Sequence, residues 1–242
     1  MSIVVPAVLP SSRREFEEQL ALFAHMPGVD RIQIDVVDGR FAAPASWPYS
    51  AEATKGAPYI APAELSEMVA AGQMLPALER VAYEIDLMSF DADRAAGPWL
   101  ALGATRLTFH AESTVDLTRL LADARTRYGD DISYGVALNI ASDTSLLSPN
   151  LGSIDYVQFM GIAQIGKQGQ PFDQRVLEKI IIFHKRHPEV PIQIDGGVSL
   201  GNAERLLSLG VTSLIAGSAL LGAANPAAEV RKFEALKRPL GV

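Results

Sequence analysis

The stretch Arg31-Ile32-Gln33-Ile34-Asp35-Val36-Val37-Asp38-Gly39-Arg40-Phe41 sets an amide and a carboxylate among β-branched apolar residues. A carboxylate in so apolar a setting costs several kcal/mol unless something pairs with it. Asp86 in "EIDLM" and Asp195 in "IDGGV" repeat the arrangement, each an acid closing an apolar run of strand length. His110, Asn139 and Met160 close other such runs. Residues two apart on a strand share a face, so Gln33 and Asp35 point the same way. If the three acids meet, two unit charges about 4 Å apart repel by about 4 kcal/mol at an effective dielectric of 20. Such a cluster calls for a cation, a shared proton or a basic neighbour. Its chemistry is proton transfer, or the holding of a hard divalent ion on oxygen ligands. Asp38-Gly39 reads differently, as a turn in which glycine supplies a positive φ.

A second group is rich in glycine. "IDGGV" carries Gly196 and Gly197, "AGSAL" carries Gly217 and Ser218, and "GKQGQ" carries Gly166 and Gly169. Glycines just past strand ends expose backbone amides that can take a phosphate, although the turns themselves also need glycine.

These positions need a scaffold that brings strand ends together. Apolar runs at Ile3–Leu9, Arg31–Val36, Val81–Leu87, Ala104–His110, Ser133–Asn139, Ile154–Met160, Pro191–Asp195 and Thr212–Ala216 alternate with segments of helical period. Ser11 or Ser12 caps a first helix with Phe16, Leu20 and Phe23 at helical spacing, and further helical segments fall at 62–76, 91–102, 114–128, 143–150, 174–187, 200–208 and 224–236, with Pro149 and Asn150 cutting one of them short. This alternation implies parallel strands with crossover helices, and eight units in 242 residues predict an α/β fold of the (β/α)8 TIM-barrel type. An open doubly wound sheet is the alternative. One domain is expected over residues 1–242, with a long rim loop at about 40–62 that holds Pro44, Pro48, Pro58 and Pro62 around Trp47 and Tyr49. Its place after the second strand puts it on the rim where barrel active sites lie, as a lid.

Composition sets outer bounds. A hydrophobic content of 48% supports a large core, and a formal charge of −7 argues against nucleic acid or an anionic membrane as partner. With no cysteine, disulfides and thiolate metal sites are excluded. The uncharged window Leu206–Ala228 is broken by Gly210, Gly217, Gly222, Asn225 and Pro226, so it reads as helix end, strand and turn rather than a membrane span. No basic and apolar leader opens the sequence, and a cytoplasmic location is expected.

The segments "VVPAVLPSS", "QIDVVDGRF", "EIDLM", "TFHAE", "ALNIAS", "IDGGV" and "AGSAL", in that order, resemble the ribulose-phosphate 3-epimerase family over nearly the whole chain. The resemblance implies a homo-oligomeric epimerase of carbohydrate metabolism, an isomerase of the pentose phosphates. It would invert a carbon of a phosphorylated ketose through an enediolate. Asp35 and Asp195 would be the catalytic acid and base. Gly169, Gly196, Gly197, Gly217 and Ser218 would bind phosphate, with Met88 and Met160 lining the pocket. The family usually holds a divalent metal through two aspartates and two histidines. Here Gln33 and Asp86 stand where the histidines would be, leaving Gln33, Asp35, Asp86 and Asp195 as an all-oxygen set suited to Mg²⁺ or Mn²⁺. Ala7 stands where a substrate-binding serine is usual, Val37 where a pocket methionine is usual, and the loop after the sixth strand is altered to "GIAQIGKQGQPF". A metal-free pocket with one carboxylate protonated is the other outcome. Two further functions stay open: an aldolase-like lyase on the same scaffold, and a non-catalytic sugar-phosphate binding protein. No lysine closes any of the expected strands, which disfavours Schiff-base chemistry.

Overall fold

In the computed structural model, which describes residues 2–49 and 62–236, eight parallel strands close in sequence order into a barrel. They are β1 (Val4–Val8), β2 (Arg31–Val37), β3 (Ala82–Met88), β4 (Arg106–His110), β5 (Ser133–Leu138), β6 (Tyr156–Met160), β7 (Ile192–Asp195) and β8 (Val211–Ala216). Around them lie α1 (Arg13–Ala24), α2 (Ala63–Ala70), α3 (Ala92–Ala101), α4 (Leu117–Tyr128), α5 (Arg175–Arg186), α6 (Leu200–Ser208), α7 (Ser218–Leu221) and α8 (Pro226–Glu234). This is the single-domain (β/α)8 barrel expected from the alternation of elements.

Each strand divides its residues between two environments. Ile32, Ile34 and Val36 of β2 join Tyr83, Ile85 and Leu87 of β3, Val157 and Phe159 of β6, and Ile192 and Ile194 of β7 in the layer between strands and helices. That layer is the main core. The opposite face points into the barrel, where bulky aliphatic residues are usual. In this barrel it carries polar residues: Arg31, Gln33, Asp35, Glu84, Asp86, Thr108, His110, Gln158, Gln193 and Asp195 are all buried. On β2, β3, β4, β6 and β7 the polar letters inside apolar runs are thus on the inward face of the strand. On β5 the inward face holds the small residues Gly135 and Ala137, and a Cβ on Gly135 would stand 2.1 Å from the Tyr156 ring.

Helix ends follow local chemistry. Ser12 Oγ accepts from Glu15 N at 3.3 Å to open α1, and Asp116 Oδ1 accepts from Arg119 N at 2.9 Å to open α4. The helix expected at 143–150 is replaced by two 3₁₀ segments, Thr144–Leu146 and Ser148–Ser153. Pro149 and the Asp143 side chain, which takes the Ser145 amide at 2.7 Å, compete with an α-helical start. The segment expected to be helical to 76 ends at Ala70, because Gly72 takes φ +65°. The short α7 interrupts what reads in sequence as a turn.

The rim loop has a structural half. Ser46 N donates to Val37 O and Trp47 N to Pro10 O, at 3.0 and 2.9 Å. Trp47 is 4% exposed and stacks on Phe16 at 4.4 Å. The rest of the expected lid, residues 50–61, lies outside the described residues. Among the described residues no helix is long and apolar enough to cross a membrane.

Candidate active site

The barrel mouth opens into a cavity lined by Asp35, Met88, Met160, Gly169, Asp195, Gly196, Gly197, Gly217 and Ser218, together with Lys167 and Gln168. Every residue expected to be catalytic or to bind phosphate therefore reaches one space. Gln33 and Asp86, also expected there, are wholly buried behind it, while Asn139 at the end of β5 does not line it.

Asp35, Asp86 and Asp195 each offer an oxygen, and the three oxygens lie within 4.8 Å of one another. β2 and β3 place Asp35 beside Asp86 in register, and Asp195 comes from β7 across the barrel. Glutamine amides stand among them. Gln33 Nε2 donates to Asp35 Oδ1 at 2.8 Å and to Asp195 Oδ2 at 2.9 Å. Gln158 Nε2 donates to Asp86 Oδ2 at 2.8 Å and reaches Asp195 Oδ2 at 3.4 Å. His110 Nε2 lies 2.9 Å from Asp86 Oδ1. Burial lowers the affinity of His110 for its proton, but the charge and hydrogen bond of Asp86, with the charges of Glu112 and Asp195, together turn the net shift upward. Asp86 thus has the His110 ring as its direct partner.

Among the described residues, the side-chain donors to Asp35 and Asp195 are glutamine amides. Burial, then the charges of Asp195 and Asp86, push the Asp35 carboxyl well above the usual carboxylate range. Burial and the charge of Asp86 push Asp195 up to about 7. At neutral pH this pair keeps a proton, so one member can donate while the other accepts.

The donor set fits a hard divalent cation through the oxygens of Asp35, Asp86 and Asp195. Gln33 was expected as a fourth ligand. Its nitrogen, not its oxygen, faces Asp35 Oδ1 and Asp195 Oδ2, so in this arrangement it is a donor to the acids and not a ligand.

The glycines play two roles. Gly196 and Gly197 take φ +101° and +67°, and a Cβ on Gly197 would stand 2.6 Å from Phe172 Cα. The turn itself and the close approach of the β6–α5 loop account for both glycines. Gly217 differs: the space beside it is filled by the Gln168 amide, at 2.4 Å from a would-be Cβ, and that amide also donates to Ala7 O at 3.3 Å. Gln168 is the far end of a flexible side chain, so a ligand can displace it.

Gln158 and Gln193 complete the site from positions the strand-end pattern does not mark. Each lies two residues before a residue that was identified, Met160 or Asp195, and the period-2 rule that joined Gln33 to Asp35 applies to both. Asp38 is the turn residue expected, and its carboxylate accepts from the amides of Arg40 and Phe41, both at 2.7 Å.

Residues 64–221 match the family model described as Ribulose-phosphate 3 epimerase family. Ribulose-phosphate 3-epimerase of Mycobacterium leprae is 28% identical over 246 aligned positions, covering 99% of this chain and 95% of that protein. The chloroplastic ribulose-5-phosphate-3-epimerase of Arabidopsis thaliana is also 28% identical, covering 99% of this chain and 79% of its own length. Among solved structures, 3-hexulose-6-phosphate synthase from Salmonella typhimurium superposes with a TM-score of 0.65 at 16% identity, covering 98% of both chains. KGPDC from Streptococcus mutans gives 0.63 at 17%, covering 96% of this chain and 95% of its own. At such identities these structures speak for the fold alone.

Proposed function

The chain belongs to the ribulose-phosphate 3-epimerase family, and on that premise we propose that it epimerises a phosphorylated ketose, with ribulose 5-phosphate as the first substrate to test. Asp35 and Asp195 are the acid and base. One carboxylate takes the proton from the carbon next to the carbonyl, and the bonding pair moves onto the carbonyl oxygen to give an enediolate. The other carboxyl returns a proton from the opposite side. The observation that carries this reading is the cavity itself, which has both acids in its wall and the backbone of Gly196, Gly197, Gly217 and Ser218 in the same wall.

The electrostatics support it. A pair that shares a proton at neutral pH is ready for both half-reactions, and the retained proton is matched to the operating pH. Met88 and Met160 give the sugar an apolar, adaptable wall. Asp35, Asp86 and Asp195 would hold a divalent cation, which when bound supplies positive charge for the enediolate oxygen. Phosphate takes the place of the Gln168 amide beside Gly217 and meets the exposed Lys167 of the same loop.

Formation of xylulose 5-phosphate from ribulose 5-phosphate, followed by NMR with and without Mn²⁺, tests the proposal. Conversion that depends on both aspartates is expected. Binding of ketose phosphates without conversion of any of them would contradict it and favour a non-catalytic binding protein.

A further inference from the structure

The glutamines behind the acid cluster form a chain of fixed polarity. Gln193 Nε2 donates to Gln158 Oε1 at 2.7 Å and to Gln33 Oε1 at 3.3 Å. It also donates to Glu84 Oε1. Glu84 is ion-paired: Arg106 Nε lies 3.0 Å and Arg31 Nη1 3.5 Å from its Oε2, so it sits there as a carboxylate. An ionised carboxylate accepts only, so Glu84 fixes which end of the Gln193 amide faces it. The second N–H of Gln193 is then shared between the oxygens of both neighbouring glutamines, closer to that of Gln158. Those glutamines are left with only their nitrogen ends to turn toward Asp35, Asp86 and Asp195. If either Gln33 or Gln158 turned over, its NH₂ group would face that of Gln193, donor against donor. Gln193 Oε1 itself has no hydrogen-bond partner among the described residues, so the residue is held here entirely through its donor end.

The consequence bears on cations. An N–H donor and a metal ion compete for the same carboxylate lone pairs, and an amide offers a cation its oxygen and never its nitrogen. We propose that Gln193 is a positioning residue that locks Gln33 and Gln158 as donors and thereby weakens the hold of the acid cluster on divalent cations. The inference deepens the reading above, on which these acids are the reactive groups, but it is tested by binding rather than turnover.

The experiment is Mn²⁺ titration of the full chain, followed by electron paramagnetic resonance of free and bound ion. Replacement of Gln193 by an apolar side chain removes the donor and frees Gln33 Oε1 to turn toward the ion. Gln193→Met should therefore bind Mn²⁺ about tenfold more tightly than the native protein, the scale on which residues that orient ligands tune affinity. Gln193→Leu, of different shape, should do the same. Damage to the fold would weaken binding, so a gain in affinity separates positioning from a structural role. Equal or weaker binding in either folded variant would overturn the proposal. If neither variant folds, the native protein decides: saturation by micromolar Mn²⁺ overturns the proposal, and a need for millimolar Mn²⁺ supports it. Failure of the epimerase assay would leave these outcomes untouched, and unchanged Mn²⁺ binding would leave the proton chemistry untouched.

Discussion

Glu84 and Asp86 lie two residues apart on β3, face the same barrel interior and are both wholly buried, yet they belong to acidic sites of opposite character. Toward the base of the barrel, Glu84 Oε2 is 3.0 Å from Arg106 Nε and 3.5 Å from Arg31 Nη1, and Thr108 Oγ1 donates to its other oxygen at 2.9 Å. Arg106 is further held over the Tyr156 ring at 4.1 Å. At the mouth, three acids share one imidazole and two amide donors. Glu84 is more deeply buried than Asp35 and Asp195, so burial alone does not decide their proton affinity. The supply of buried cations does. With two guanidiniums the acid gives up its proton; with amides alone Asp35 and Asp195 keep one. A buried acid matched by cations is structural, and one that is not becomes available for proton chemistry.

The contrast can be broken by substitution. Asp35→Asn or Asp195→Asn should cut turnover by about a thousandfold, without lowering the melting temperature, because each change relieves repulsion. Glu84→Gln should do the reverse. It strands Arg31 and Arg106 and should cost about 3–5 kcal/mol in urea unfolding, while the turnover of the folded fraction falls far less than in the aspartate variants.

Stability against pH should carry opposite signs at the two sites, measured in cation-free protein. Glu84 has a lowered folded pKa, so its contribution is full above the unfolded value and disappears as pH falls through the folded one. Asp195 has a raised folded pKa of about 7, so the folded state binds the extra proton. Its contribution is full below the unfolded value and is lost as pH rises toward 7. Asp195→Asn should flatten the decline on that side and leave the acid limb in place. The smallest effect is expected from Gly217→Ala, whose methyl crowds the movable Gln168 amide and stands 3.3 Å from Ala7 O. Inorganic phosphate should bind more weakly by about 1 kcal/mol, with stability little changed.

Much of this was legible in the sequence, because the alternation of elements and the acids at strand ends are local patterns. The barrel and the shared cavity follow from them. What escaped depends on residues distant in the chain. Trp47, among prolines, reads as part of a lid, but its packing partners Phe16 and Trp99 come from α1 and α3. Gln33 has the right atoms for a ligand, and only its neighbours Gln193 and Glu84 decide which end it presents. Gln158 and Gln193 sit in short strands whose flanking Val157, Phe159, Ile192 and Ile194 make the run look uniformly apolar.

Transfer of solvent hydrogen measures the central claim most directly. Native protein incubated with ribulose 5-phosphate in deuterated water should place deuterium on the carbon next to the carbonyl, and Asp35→Asn and Asp195→Asn should not. Incorporation that survives both substitutions, or none with the native protein, would contradict the assignment of the unmatched acids to proton chemistry.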